Sequence, residues 1–296
     1  MSSSKKMMLA FFLNLGFALI EGVFGFLFNS SAVLADAVHD LGDALAIGTA
    51  AFLERFSHKK ADLRYSLGYK RFSLLGAMVT SAILISGSSL ILVENIPKLW
   101  APEPVNHRGM LLLGILAILI NLTASFIIRK GQTRNEAILS LHFLEDILGW
   151  LAVILVSILL EFTDWYFLDP LLSLIIAGFI LSKALPQAYS TLKIFLEAVP
   201  EGIDLHQLRQ QVSQLETVEQ VYQINVWTMD GLNHYASIHI RPKADVQEAF
   251  CKKAIRQIFE NQSIYQVTIE IDWSEAEHLA HDKERPQSAN HSHHHH

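Results

Sequence analysis

The chain has 296 residues and a formal net charge of -6, and it is 51% hydrophobic but only 18% charged, where an ordinary soluble domain carries roughly 25% charged residues. Its single cysteine, Cys251, excludes an internal disulfide framework and any cysteine-based zinc motif. The negative charge, with no basic stripe interleaved with aromatics, argues against a nucleic-acid partner.

The apolar residues are concentrated in roughly the first 190 positions. Lys5 and Lys6 precede the first apolar run and could be the charged start of a signal peptide. That run is long, contains Asn14 and Glu21 and lacks a small-x-small cleavage site, so it reads as a retained membrane helix. Six segments are long enough to span a bilayer: 7–28, 32–55, 72–94, 110–129, 137–160 and 165–186. Lys5, Lys6, Arg55, Lys59, Lys60, Arg64, Lys70, Arg71, Arg129, Lys130 and Arg134 fall on one side, and only Lys98 and Arg108 on the other. The positive-inside rule therefore predicts a multi-pass protein with both termini in the cytoplasm. The compact loops suggest a bacterial inner (plasma) membrane.

After Leu185-Pro186 the character changes. Ile203 to Leu215 reads as an amphipathic helix, Val218 to Thr228 and His234 to Ile240 as strands around Met229-Asp230-Gly231, Val246 to Phe259 as a helix, and Tyr265 to Asp272 as a strand. The order α-β-β-α-β predicts a ferredoxin-like sandwich. The domains expected are a six-helix transmembrane domain at 1–190, the ferredoxin-like domain at 191–274, and a disordered His-rich tail at 275–296. The terminal histidines fit a native metal-buffering tail or an added tag equally well.

Two apolar segments carry the same pattern: His39-Asp40-Leu41-Gly42-Asp43 and His142-Phe143-Leu144-Glu145-Asp146. His-x-x-x-Asp stacks an imidazole and a carboxylate on one helix face, one turn apart. An ionisable group in the hydrocarbon core costs about 2.5 kcal/mol or more, so these faces must point into the bundle or a water-filled path. Facing each other, the two helices would offer two nitrogens and two carboxylates, which suits a tetrahedral divalent metal. Hydrogen bonding between helices is the rival reading, at about 1 kcal/mol per bond. Asp36, Asp40, Glu145, Asn14 and Glu21 are candidates to line an ion path or support the ligands. Asn121 and Asp169 could do the same or could join helices. The loop at Leu67-Gly68-Tyr69-Lys70-Arg71-Phe72, after His58 and Asp62, reads as a basic membrane-surface anchor in preference to a second metal site. In the C-terminal region His206, His234, His239, Glu270 and Asp272 are candidate ligands, with His239, Glu270 and Asp272 as the possible secondary metal set. Without a His-Glu-x-x-His signature or an open coordination position, an enzyme is not expected.

The stretch Ser31-Ala32-Val33-Leu34-Ala35-Asp36-Ala37-Val38-His39 through Asp43, together with Leu141-His142 through Asp146, resembles the cation diffusion facilitators. Val199-Pro200-Glu201-Gly202 and Val226-Trp227 are similar to that family's cytoplasmic domain. The resemblance implies a homodimer in the bilayer that exports a divalent metal from the cytoplasm against protons by alternating access. Histidine in both motifs implies the zinc branch, with Zn2+ as transported substrate, His39, Asp43, His142 and Asp146 as ligands, and no organic cofactor. Cd2+, Co2+ or Ni2+ transport and a non-transporting metal-responsive receptor remain alternatives. The chain departs from the family where Tyr69 stands at a position that some members fill with a histidine ligand. It departs again at Tyr222-Gln223-Ile224-Asn225-Val226-Trp227, where two histidines are replaced.

Overall fold

The computed structural model describes residues 3–57, 59–129, 134–244 and 246–283. Six long helices come first: α1 (Ser3–Leu27), α2 (Ser31–Ser57), α3 (Phe72–Lys98), α4 (His107–Arg129), α5 (Arg134–Phe162) and α6 (Leu168–Phe195). There follow α7 (Leu205–Ser213), β1 (Val218–Thr228), β2 (His234–Pro242), α8 (Glu248–Asn261), β3 (Gln266–Ile271) and α9 (Glu275–Lys283). The chain divides into two compact units, 1–192 and 193–296.

In the first unit α2 packs against α1 on one side and α3 on the other, α4 packs against α5, and α2 meets α5. Phe17 of α1, Val33 of α2, Met110 and Ala117 of α4, and Trp150 and Val153 of α5 share one buried cluster. The outward faces are apolar: Val23, Val93, Leu112, Leu155 and Ile175 are exposed. A surface of that kind suits lipid as the solvent, because hydrocarbon imposes no penalty on exposed leucine or valine. Exposed Trp100 and Trp165 sit in the α3–α4 and α5–α6 connections, as an aromatic belt requires. Among the described residues α3 and α6 are long and apolar enough to cross a membrane, and Phe11–Leu27 and His107–Thr123 are shorter apolar stretches. In α2 the hydropathy is lowered by Asp36, His39, Asp40 and Asp43.

Polar contacts pin one end of this unit. Asp169, buried at the start of α6, accepts from Ser30 Oγ at 2.6 Å and from the backbone N–H groups of Ser31 and Ala32 at 2.7 and 3.3 Å. Those N–H groups open α2 and have no partner within the helix, so Asp169 supplies the missing cap from another helix. Asn29 takes the left-handed conformation in the α1–α2 turn (φ 54°), which asparagine tolerates well. The helix α6 runs through Pro186 to Phe195, beyond the boundary expected from the sequence. A proline forfeits one backbone bond without ending a helix whose remaining turns are otherwise intact.

In the second unit β2 is the central strand, antiparallel to β1 and parallel to β3. Asp204 caps α7 by accepting from His206 N and Gln207 N at 2.8 and 3.2 Å. Leu208 and Val212 of α7, and Cys251, Ile255 and Phe259 of α8, cover one sheet face with Ile238 and Ile240. Strand alternation then turns His239 and Arg241 to the opposite face, where Arg241 pairs with Glu219 of β1. The segment expected to begin a disordered tail at 275 forms α9 instead. Ser274 Oγ accepts from Glu277 N at 3.1 Å and the Glu277 carboxylate accepts from Trp273 N at 2.9 Å. This Ser-x-x-Glu cap is the reason the polar segment starts a helix. Residues 284–296 lie outside the described residues.

Candidate metal centre in the helical unit

The α2 motif behaves as its spacing demands. His39 and Asp43 are one turn apart, and His39 Nε2 lies 3.5 Å from Asp43 Oδ2. From α5, Asp146 brings its Oδ1 to 4.0 Å from the same His39 nitrogen. The donor atoms of His39, Asp43 and Asp146 all lie within 4.8 Å of one another. Two donors on a tetrahedral zinc at about 2.0–2.2 Å stand roughly 3.3–3.5 Å apart. The His39–Asp43 pair already stands at that spacing, and Asp146 must move closer for all three groups to close on a small divalent cation. His142 lies on α5 one turn before Asp146, but its side chain, like that of Glu145, lies outside the described residues.

Small residues let the helices approach here. Gly42, between His39 and Asp43, has Leu84 of α3 where a Cβ would sit, at 2.2 Å from its Cδ2. A Cβ on Gly149 of α5 would stand 3.7 Å from Asp36 Oδ1 of α2. A larger residue at position 42 would force Leu84 of α3 to move, beside the turn that carries two of the three converging donors.

More carboxylates line the same interior. Asp36 and Asp40 are each 4% exposed, Asn14 is 4% exposed, and Glu21 is fully buried. The Glu21 carboxylate lies against Asp40 and the Trp150 indole, and Asp36 Oδ2 has no hydrogen-bond partner. The charges that act on Glu21 come from Asp40, Asp36 and Asp146, with the Trp150 indole beside it. Acids concentrated in this way, with His39 the sole imidazole among the described ones, match a region built to accept positive charge. Asn121 is buried on α4, and Asp169 serves as the α2 cap described above.

The basic loop between α2 and α3 presents Asp62 differently. Its Oδ1 accepts from Arg64 N and Tyr65 N at 2.8 and 2.9 Å, and its Oδ2 accepts from Tyr69 Oη at 2.7 Å. The Tyr69 hydroxyl and these backbone N–H groups hold the Asp62 carboxyl below the usual carboxylate range. With those bonds made, Asp62 closes a loop. His58 lies outside the described residues.

A second group of donors forms in the C-terminal unit. His239 Nδ1 is 3.2 Å from Asp272 Oδ2, and His278 Nδ1 is 2.8 Å from the same oxygen. The donor atoms of all three lie within 4.8 Å of one another. Tyr222 stacks on the His278 ring, with centroids 4.4 Å apart. Of the three residues expected here, Glu270 does not join: it is exposed, while Asp272 is fully buried. The strand ends at Ile271, and Asp272 N donates to Ile240 O at 2.9 Å, which turns its side chain inward. His278 was not anticipated from the sequence. The signal for it was the Ser274-x-x-Glu277 cap, which starts a helix that carries position 278 back over the sheet. His206 and His234 do not belong to this group.

Residues 7–196 match the family model described as the cation efflux transmembrane domain. The chain belongs to the cation diffusion facilitators. Within this family it is 30% identical to a cadmium, cobalt and zinc/H(+)-K(+) antiporter of Bacillus subtilis, an alignment covering 92% of this chain and 89% of the relative. It is 27% identical to the zinc transporter ZitB of Escherichia coli, over all of this chain and 95% of the relative. With the metal cation efflux system protein CzcD of Cupriavidus metallidurans it shares 26% identity over 76% of this chain and 72% of the relative. Among these facilitators the present chain is a membrane protein with a helical domain and a C-terminal region built on a small mixed sheet.

Proposed function

We propose that this facilitator exports Zn2+ from the cytoplasm in exchange for protons by alternating access. The observation that carries the reading is the convergence of His39, Asp43 and Asp146 from two helices at a spacing that suits one small divalent cation. His142, on the turn before Asp146, would complete a two-nitrogen, two-oxygen set. The names of the relatives support zinc as substrate and proton as counter-ion. Neutral imidazole and ionised carboxylate are the forms that bind metal, so protons compete directly for the same atoms. A fall in pH on the receiving side would therefore discharge the ion.

The finer architecture in this proposal is six spans formed by α1–α6, both termini in the cytoplasm of a bacterial inner membrane, and a homodimer. The C-terminal unit is a ferredoxin-like domain over 191–274. Glu21, Asp36, Asp40, Glu145 and Asn14 line the ion path. No organic cofactor and no catalytic step enter this mechanism. Cd2+ and Co2+ suit the same donors, and so does Ni2+.

A second site is supported by one specific observation, the convergence of His278 with His239 on Asp272. Two imidazoles and a carboxylate at the surface of the C-terminal unit would hold a divalent ion in three positions, so this unit would respond to metal arriving at the transporter.

The test is zinc-driven proton flux in proteoliposomes, comparing the intact chain with Asp43→Ala and Asp146→Ala. Zinc-dependent proton movement lost in both variants supports antiport through this site. Flux that survives either substitution overturns it, and flux with cadmium or cobalt alone would retain the mechanism and change the substrate.

A further inference from the structure

The loop joining α2 to α3 is ordered by its own contacts and presents both charge and apolar side chains outward. Asp62 is occupied by three internal hydrogen bonds. Tyr65, Tyr69 and Phe72 form a ring cluster, with centroids 4.5 to 5.4 Å apart. Lys59 Nζ lies 5.1 Å from the Tyr69 ring centre, and Gly68 takes a φ of 81° that lets the chain turn back under the cluster. This scaffold leaves Lys60, Arg64 and Lys70 without a carboxylate partner among the described residues. Leu63 is completely exposed, and Leu67 and Tyr65 are about half exposed. Leucine at the tip of a charged loop has no reason to face water, and a rigid tip loses little entropy on being covered.

We propose that loop 59–71 is a binding site for anionic phospholipid headgroups, with Lys60, Arg64 and Lys70 holding lipid phosphates while Leu63 and Leu67 enter the acyl boundary. The occupant follows from two facts. The loop joins two helices of a membrane domain, so a bilayer surface lies beside it. The groups it leaves without a carboxylate, Lys60, Arg64 and Lys70, are cationic, which complements an anionic leaflet and attracts a zwitterionic one only weakly. Basic groups next to long apolar side chains are the pattern that recognises that boundary. This inference rests on the six-span reading above, which sets this loop against the membrane surface.

The sole cysteine, Cys251, is buried, so Leu63→Cys in the full chain accepts an environment-sensitive fluorophore at one place. In nanodiscs of phosphatidylcholine mixed with phosphatidylglycerol, the expected result is blue-shifted emission quenched by lipids brominated on their acyl chains. Quenching should weaken in phosphatidylcholine alone. Lys60→Gln, Arg64→Gln and Lys70→Gln together should abolish that difference, each removed cation weakening the affinity for phosphatidylglycerol by about fivefold. Equal quenching in both lipids would overturn headgroup recognition. Blue-shifted emission without quenching by brominated lipid would mean that Leu63 is covered by protein, from this chain or a second copy, and would also overturn it. Zinc flux is not a readout here, so failure of the transport reading and failure of this one are separable.

Discussion

His39 of α2 and Asp146 of α5 face each other at 4.0 Å, joining helices whose His-x-x-x-Asp motifs lie 103 positions apart in the chain. Each motif alone offers one imidazole with a carboxylate a turn away. Alternating access requires a site that is complete when α2 and α5 are together and weakened when they part, and a shared site across two helices has that property. Asp146→Asn should keep the volume of the side chain and remove its charge. Zinc affinity, measured by calorimetry on the full chain, should fall by about 100-fold or more, since even groups behind the ligands cost 10–100-fold when lost. An affinity within a few-fold of the parent would remove Asp146 from the site.

Replacing His39 by aspartate tests selectivity. The site would change from borderline donors to an oxygen-rich set, which favours harder ions such as manganese over zinc. Competition flux should show His39→Asp gaining manganese transport while zinc transport falls. Unaltered zinc preference would mean that the imidazole is not a ligand.

The fate of the sequence reading divides along physical lines. The shared face of His39 and Asp43 and the positions of the three strands could be inferred in advance because they depend on periodicity: a turn of 3.6 residues for the helix and alternation of two for the strands. Asp169 was legible only as a polar group near a helix start, because its role depends on where α6 places it against α2. His278 was missed because its partners, His239 and Tyr222, are brought to it by the sheet and not by spacing. Period-two alternation selects Glu270, which is in register with His239 but stays exposed, outside the group that His239 forms with Asp272 and His278.

Glu21 offers a test that separates function from packing. A fully buried carboxylate set among the charges of Asp40, Asp36 and Asp146 costs the fold stability. Glu21→Gln should therefore raise the unfolding temperature in detergent while lowering zinc flux, because a residue kept at a stability cost is kept for the ion path. A gain in stability with full flux would assign Glu21 no part in transport.

Asp169 makes the opposite prediction. It receives three hydrogen bonds at the start of α2, so Asp169→Ala leaves two buried N–H groups and a hydroxyl unpaired at once. A helix cap is worth about 0.5–2 kcal/mol, with more lost when the orphaned groups are buried. The unfolding temperature should drop, and hydrogen exchange should rise first at the N-terminal turn of α2. Unchanged protection there would mean that water replaces the carboxylate without cost.

In the C-terminal unit, burial pushes the Asp272 carboxyl up, but the bonds from His278 and His239 together outweigh it and hold the group below the ordinary range. A carboxyl lowered by folding contributes stability that is present above its unfolded value near 3.9, and that contribution is lost as the pH falls through the folded value. The bond that holds α9 against the sheet should therefore survive mild acidification and fail only below the ordinary carboxylate range. Hydrogen exchange of the α9 amides in the metal-free chain should show protection that persists through mild acid and is lost only below the ordinary carboxylate range. Asp272→Asn should lose protection of α9 already at neutral pH, because an amide cannot serve as the shared charged acceptor for two imidazoles. If α9 remains protected in that variant, Tyr222 stacking and the Ser274 cap hold the helix without the carboxylate, and His278 is not positioned by Asp272.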